Sequence, residues 1–341
     1  GNYNVVVGDE AGTAITTGDG NVLLGFNAGD AVTTGTNNVA IGYLALSTED
    51  AHGSNVAIGR QALENQNAGA EAYNVAIGSL AGNDITTGVH NVIIGGLAGD
   101  ALTDADSNVA IGMTALGADT LGSASTAVGN GTLAAQNFTT ATSTYNTAVG
   151  YHAGNDITTG VYNTLIGGLA GDALTVGYEN VAVGGNALST DDVGSRSVAI
   201  GTGALRDQNI ATAANVYNTA VGHFAGGTIT TGIQNTLIGG LAGDAITTGL
   251  TNVAVGFIAL STDTIGSKSA AVGAYALATQ NPSTATDMYN TGIGYNAGGA
   301  VTTGVQNTLI GGLAGDALTD ADFNVALGIS SLGLDTKGNK S

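Results

Sequence analysis

The sequence predicts an all-β chain: a parallel β-solenoid of about nineteen 17-residue coils carrying a 72-residue superrepeat. Three observations predict it. A five-residue segment, Asn-Val-Ala-Ile-Gly at 38–42, 55–59, 74–78 and 108–112 and close variants elsewhere, starts nineteen times between Asn4 and Asn324. The step is seventeen residues except after every fourth copy, where it is nineteen once and twenty-one three times. Asn74, Asn146, Asn218 and Asn290 therefore open equivalent blocks of four. Finally, no run keeps helical periodicity over three turns, and 57 of 341 residues are Gly.

We number the first residue of the segment 0. Positions +1 to +3 form a short strand, expected to turn +1 and +3 into the coil and +2 outward. At +3 all nineteen residues are Val, Ile or Leu, and at +1 they are Val, Thr or, once, Ala270. Such β-branched columns suit a stacked sheet. Position +4 is Gly in every copy, where a turn or a close backbone approach excludes a Cβ. Position 0 is Asn in sixteen copies and Ser at 125, 197 and 269, and Asn can stack in hydrogen-bonded ladders. Ala fills +7 in seventeen copies. Gly follows at +8 in the first two coils of each block and Leu in the last two (Leu46, Leu116, Leu188, Leu260, Leu332), so the cross-section is expected to change every two coils.

No residue at +2 is polar, although an outward position in water should be. Thirteen are Ala or Gly, and the bulky Leu23, Ile93, Leu165, Leu237 and Leu309 fall in the second coil of each block. This stripe of small residues with regular knobs predicts an interface between chains. The alternative is a coil flattened into two layers, with +2 facing the second layer of its own chain.

Composition narrows the function. The apolar share of 43 % is too high for disorder. A net charge of −20 argues against nucleic acid and against anionic membrane surfaces, and like charges keep long particles apart. No apolar run has membrane-spanning length, so no membrane insertion is expected, and there is no Cys. Residues 1–341 read as one continuous array. Its last residue, Ser341, falls where another repeat begins, which suggests a window of a longer polypeptide.

The segments NVAIGYLAL at 38–46 and SVAIGTGAL at 197–205 resemble the head repeat of trimeric autotransporter adhesins, and are similar to the Asn-Thr-Ala-Ile-Gly repeats of phage tail fibres. The resemblance covers all nineteen copies. It implies a left-handed parallel β-roll in each chain and three chains packed into a non-enzymatic surface fibre that binds host or matrix ligands. The repeat here is longer, and a four-coil superperiod is superimposed on it.

The longer linkers after every fourth copy are the places where sequence drifts, and loops on a rigid scaffold commonly carry recognition. Each opens with Gln-Asn and closes with Tyr: Gln66, Asn67 and Tyr73; Gln136, Asn137 and Tyr145; Gln208, Asn209 and Tyr217; Gln280, Asn281 and Tyr289, with Phe138 inside the second. Amides beside an aromatic suit a sugar; the alternative is a tolerated bulge whose Tyr covers a coil edge. Asp-rich turns (Asp100, Asp104, Asp106, Asp316, Asp320, Asp322) lack the GGxGxD calcium motif, so no metal and no cofactor are expected. Adjacent Thr pairs such as Thr16-Thr17 face opposite ways in a strand and do not make the flat array that ice binding needs. Arg196, Lys268 and Lys340 recur every 72 residues, with carboxylates such as Asp192 as expected partners, and the four His do not recur in register. Catalysis wants a unique constellation, whereas everything here repeats, so no enzyme is expected. The expected role is a fibre segment outside the cell, on a cell or virion surface. Its expected partners are further copies of itself, as a homotrimer, and a cell-surface or glycan receptor. A structural filament without a specific ligand is the second reading.

Overall fold

The computed structural model describes residues 1–339, so Lys340 and Ser341 lie outside the described residues. Each repeat contributes one three-residue strand at +1 to +3, from Val5–Val7 to Val325–Leu327, and the chain is an all-β parallel β-solenoid of nineteen turns. It divides into two compact units, Gly1–Gly168 with ten of these strands and Leu169–Ser341 with nine.

Within each unit successive strands pair in parallel, and identical positions face each other. Val22 pairs with Val39, Leu23 with Ala40 and Leu24 with Ile41. The register survives the insertions, since Thr126 pairs with Thr147 across a 21-residue step. Extra residues therefore bulge between strands and leave the ladder unshifted. Two insertions add a short strand of their own: Thr142–Ser143 pairs with Gly122–Ser123, and Ala214–Asn215 with Gly194–Ser195.

Position 0 closes the coil. The Asn21 side chain donates from Nδ2 to the carbonyl of Gly35 at the far end of its own coil (2.9 Å), and its Oδ1 accepts from the backbone N–H of Asn38 in the next (2.9 Å). The column is buried, so each of these bonds also satisfies a polar group hidden from water. Three further positions hold the left-handed conformation in every coil: −1, +6 and +8. Many of them are not Gly, Leu46 (φ 51°) and Tyr145 (φ 51°) among them, at a local cost of order 1–2 kcal/mol each that the stacked neighbours must offset. At +4 the demand is stricter. Gly25 sits at φ 133°, and a Cβ there would lie 2.5 Å from the carbonyl oxygen of Gly42. Backbone and stacking exclude a side chain together.

The facing of the strand is opposite to the sequence expectation. Position +2 points into the coil, and Leu23, Ile93, Leu165, Leu237 and Leu309 are all 0 % exposed within the single chain. The knobs read as contacts between chains are core residues. Because Asn at position 0 turns inward, +2 must follow it, and +1 and +3 turn outward, half-buried or exposed in every coil from the second onward. The coil is too narrow for more than Ala at most +2 positions. Where the second coil carries Leu, room comes from glycines. A Cβ on Gly154 would lie 2.7 Å from Cδ1 of Leu165, 3.0 Å from Leu133 and 3.1 Å from Ile157. The superperiod thus moves bulk between +2 and +8 from coil to coil while keeping the interior filled, as close packing requires.

Candidate functional site: the insertion coils and the outward strand face

At +11 the first two coils of a block bury an aliphatic residue, such as Ile85 and Leu102. The third coil buries a carboxylate there (Glu49, Asp119, Asp191, Asp263), and the fourth, one step on, buries the Gln that opens the insertion. Gln66, Gln136, Gln208 and Gln280 are enclosed, so they are structural groups and do not meet a ligand. Gln136 donates from Nε2 to Asp119 Oδ2 (2.5 Å) and to Ser125 Oγ (2.9 Å), and its Oε1 accepts from Asn146 Nδ2 (2.9 Å). Asp119 Oδ1 accepts from the backbone N–H of Gly122 (3.1 Å) and of Phe138 (3.0 Å). Gln136 thereby joins three coils where Ser125 has replaced the bridging Asn. The pattern recurs at Asp191–Gln208 and Asp263–Gln280, both 2.5 Å. Burial pushes the carboxyls of Asp191 and Asp263 above the ordinary range, and the Gln hydrogen bond opposes this. Pro282 stands where Phe138 and Ile210 offer an N–H, so Asp263 has no donor from that position.

The first block departs from this set. Glu49 replaces Asp, Asn55 replaces Ser, and His52 stands where the later blocks have Gly122, Gly194 and Gly266. A Cβ on Gly122 would collide with the Asp119 carboxylate, so a side chain at this place needs the acid displaced. The longer Glu is compatible with that demand. Two of its three hydrogen bonds are longer than those of Asp119: Ala68 N–H at 3.3 Å and Gln66 Nε2 at 3.5 Å, beside His52 N–H at 3.0 Å. Asn55 Nδ2 is buried without a hydrogen-bond partner.

The remaining loop residues divide. Phe138 packs inside, as does Ile210. Asn67, Asn137, Asn209 and Asn281 are exposed, and their backbone N–H groups bond to the coil ahead, as from Asn67 to Thr86 (2.9 Å). Tyr73, Tyr145, Tyr217 and Tyr289 are about half exposed. Each lies against a planar or cationic neighbour: His90 for Tyr73 (5.9 Å between ring centres), Tyr162 for Tyr145 (5.3 Å), Arg196 for Tyr217 and Lys268 for Tyr289. Arg196 pairs with Glu179 (2.8 Å), not with Asp192, and Lys268 pairs with Asp287 (2.6 Å). These contacts raise both cations' affinity for the proton, chiefly through the carboxylate hydrogen bond. Being exposed pairs, they add little stability.

Other polar columns tie coils together. Thr86 Oγ1 donates to the carbonyl of Thr103 (3.3 Å), and Asp106 Oδ1 accepts from Val89 N–H (2.8 Å).

The outward face of the strands forms the broadest feature. In each unit it presents Val, Thr, Ile and Leu at +1 and +3, with no charged residue in either column. Exposed aromatics flank the strand in sequence at −1 (Tyr145, Tyr162) and at +5 (Phe26, Tyr43, Tyr151, Phe257, Tyr295). Ten three-residue strands about 4.8 Å apart and about 10 Å wide offer roughly 480 Å² in the first unit, and the flanking aromatics bring this toward the ~800 Å² that one partner contributes to a standard interface. Among the described residues no helix is long and apolar enough to cross a membrane. No family model, curated protein or solved structure matches the chain.

Proposed function

We propose that the chain is a non-enzymatic structural segment of a surface fibre of the adhesin or tail-fibre kind, working outside the cell. It associates with copies of itself, as a homotrimer, through the outward strand face, and it holds its tyrosine-edged insertions out toward a cell-surface or glycan receptor. The observation that carries this reading is the uncharged apolar face left open by one chain, because a contiguous apolar patch that runs from coil to coil is often functional. The resemblance to adhesin heads and tail fibres supports the same reading. The test replaces outward residues of three coils, Ile58, Ile94 and Ile111, by Lys. Analytical ultracentrifugation should then show an oligomer becoming a monomer with unchanged circular dichroism. A wild-type chain that sediments as a monomer at micromolar concentration overturns the self-association.

A second reading, a homopolymeric extracellular filament without a specific ligand, draws support from the burial of the four insertion glutamines. Binding to cells and glycan arrays separates the two. Replacing Tyr73, Tyr145, Tyr217 and Tyr289 by Ala abolishes attachment under the first reading; a wild-type chain that attaches to nothing establishes the second.

A further inference from the structure

We propose that Glu49, Asp50 and His52 hold one divalent transition-metal ion of the zinc class, at a site that the other blocks lack. The three side chains each bring one ligand atom, and these atoms all lie within 4.8 Å of one another. His52 Nδ1 is buried and has no hydrogen-bond partner. It faces Glu49 Oε1 at 3.6 Å, too far for a hydrogen bond. That separation suits two ligands of one ion: donors 2.0–2.2 Å from a tetrahedral centre stand about 3.3–3.6 Å apart.

Glu49 supplies a second reason. It is fully buried, yet two of its three hydrogen bonds are long, so its carboxylate is less well compensated than Asp119 in the next block. A cation at Oε1 restores the balance that the Gln gives elsewhere. The backbone under the site is already held. The carbonyl of Asp50 accepts from Thr33 N–H (2.6 Å) and Thr33 Oγ1 (2.9 Å), and that of His52 accepts from Asn38 Nδ2 (3.1 Å). Asp50 is exposed, which gives the ion a path from solvent and leaves a fourth position for water. One imidazole with two carboxylates selects a borderline ion such as Zn²⁺, whereas Ca²⁺ wants six to eight oxygens.

Titration calorimetry of the chain with ZnCl₂ tests this. One equivalent should bind, at least tenfold more weakly in His52→Ala and in Asp50→Asn, and with unchanged affinity in His90→Ala. The exposed Asp50 variant guards against loss of folding through the His52 change. Ca²⁺ should not compete at equal concentration. Binding of equal affinity in wild type, His52→Ala and Asp50→Asn, or no binding at all, overturns the proposal. Neither outcome bears on self-association, which is read by sedimentation.

Discussion

The insertion that opens at Gln136 and the one that opens at Gln66 lie in the same unit and interrupt the same kind of coil, yet their buried chemistry differs. Behind Gln136, Asp119, Ser125 and Asn146 each find a short partner. Behind Gln66, Asn74 Nδ2 reaches Oε1 at 3.0 Å, but Glu49 is held at 3.5 Å and Asn55 Nδ2 is unpaired. The difference teaches that a buried acid is tolerated in so thin a coil only when several donors converge on it. Longer side chains at the same positions reach further and bond less well.

Breaking the tighter network should have the largest effect. Gln136→Leu leaves the Asp119 carboxylate short of a donor and should cost about 3 kcal/mol in urea unfolding, against about 1 kcal/mol for Gln66→Leu. The double replacement Asp119→Leu with Gln136→Leu should recover most of that loss, because Ile85 and Leu102 already occupy this place in other coils. A double variant as unstable as the single one would contradict the account. A smaller effect concerns pH. Asp191 and Asp263 have folded pKa values raised above the ordinary 3.8, so their charged forms are disfavoured in the fold. Their contribution to stability is fully present below about pH 3.8 and is lost as pH rises through the raised folded values. Urea midpoints measured between pH 3 and pH 7 should therefore fall with rising pH, and less steeply when Asp191 and Gln208 are both replaced by Leu. The smallest effect comes from importing the later solution. Asn55→Ser with Ala72→Thr recreates the Ser125–Thr144 pair and removes the unpaired amide, and it should raise the unfolding free energy by about 1 kcal/mol.

Some of this was legible in the residues. The acid at +11 precedes each Gln by seventeen positions (Glu49 and Gln66, Asp119 and Gln136), so that, once the coils stack, the two become neighbours in one column. Reading that column would have placed the Gln inside. The exposed Asn and Tyr remain where the insertion pattern put them, at the surface. The His52 contact was not legible, because it depends on how a backbone turn aims Nδ1 at a carboxylate three residues away.

What the sequence determined by itself is the solenoid. A fixed period with invariant Gly at +4 and an Asn column at position 0 admits stacked parallel turns, because matching residues then fall over one another and bond in register. What only the tertiary structure decided is which side of the strand is inside. Alternation carries that information only when one face is polar, and here +1, +2 and +3 are almost all apolar or small. The width of the coil settled it: a narrow interior takes Ala at most +2 positions, and accepts Leu165 where Gly154 leaves room, while the Val, Ile and Leu of +1 and +3 stay outside.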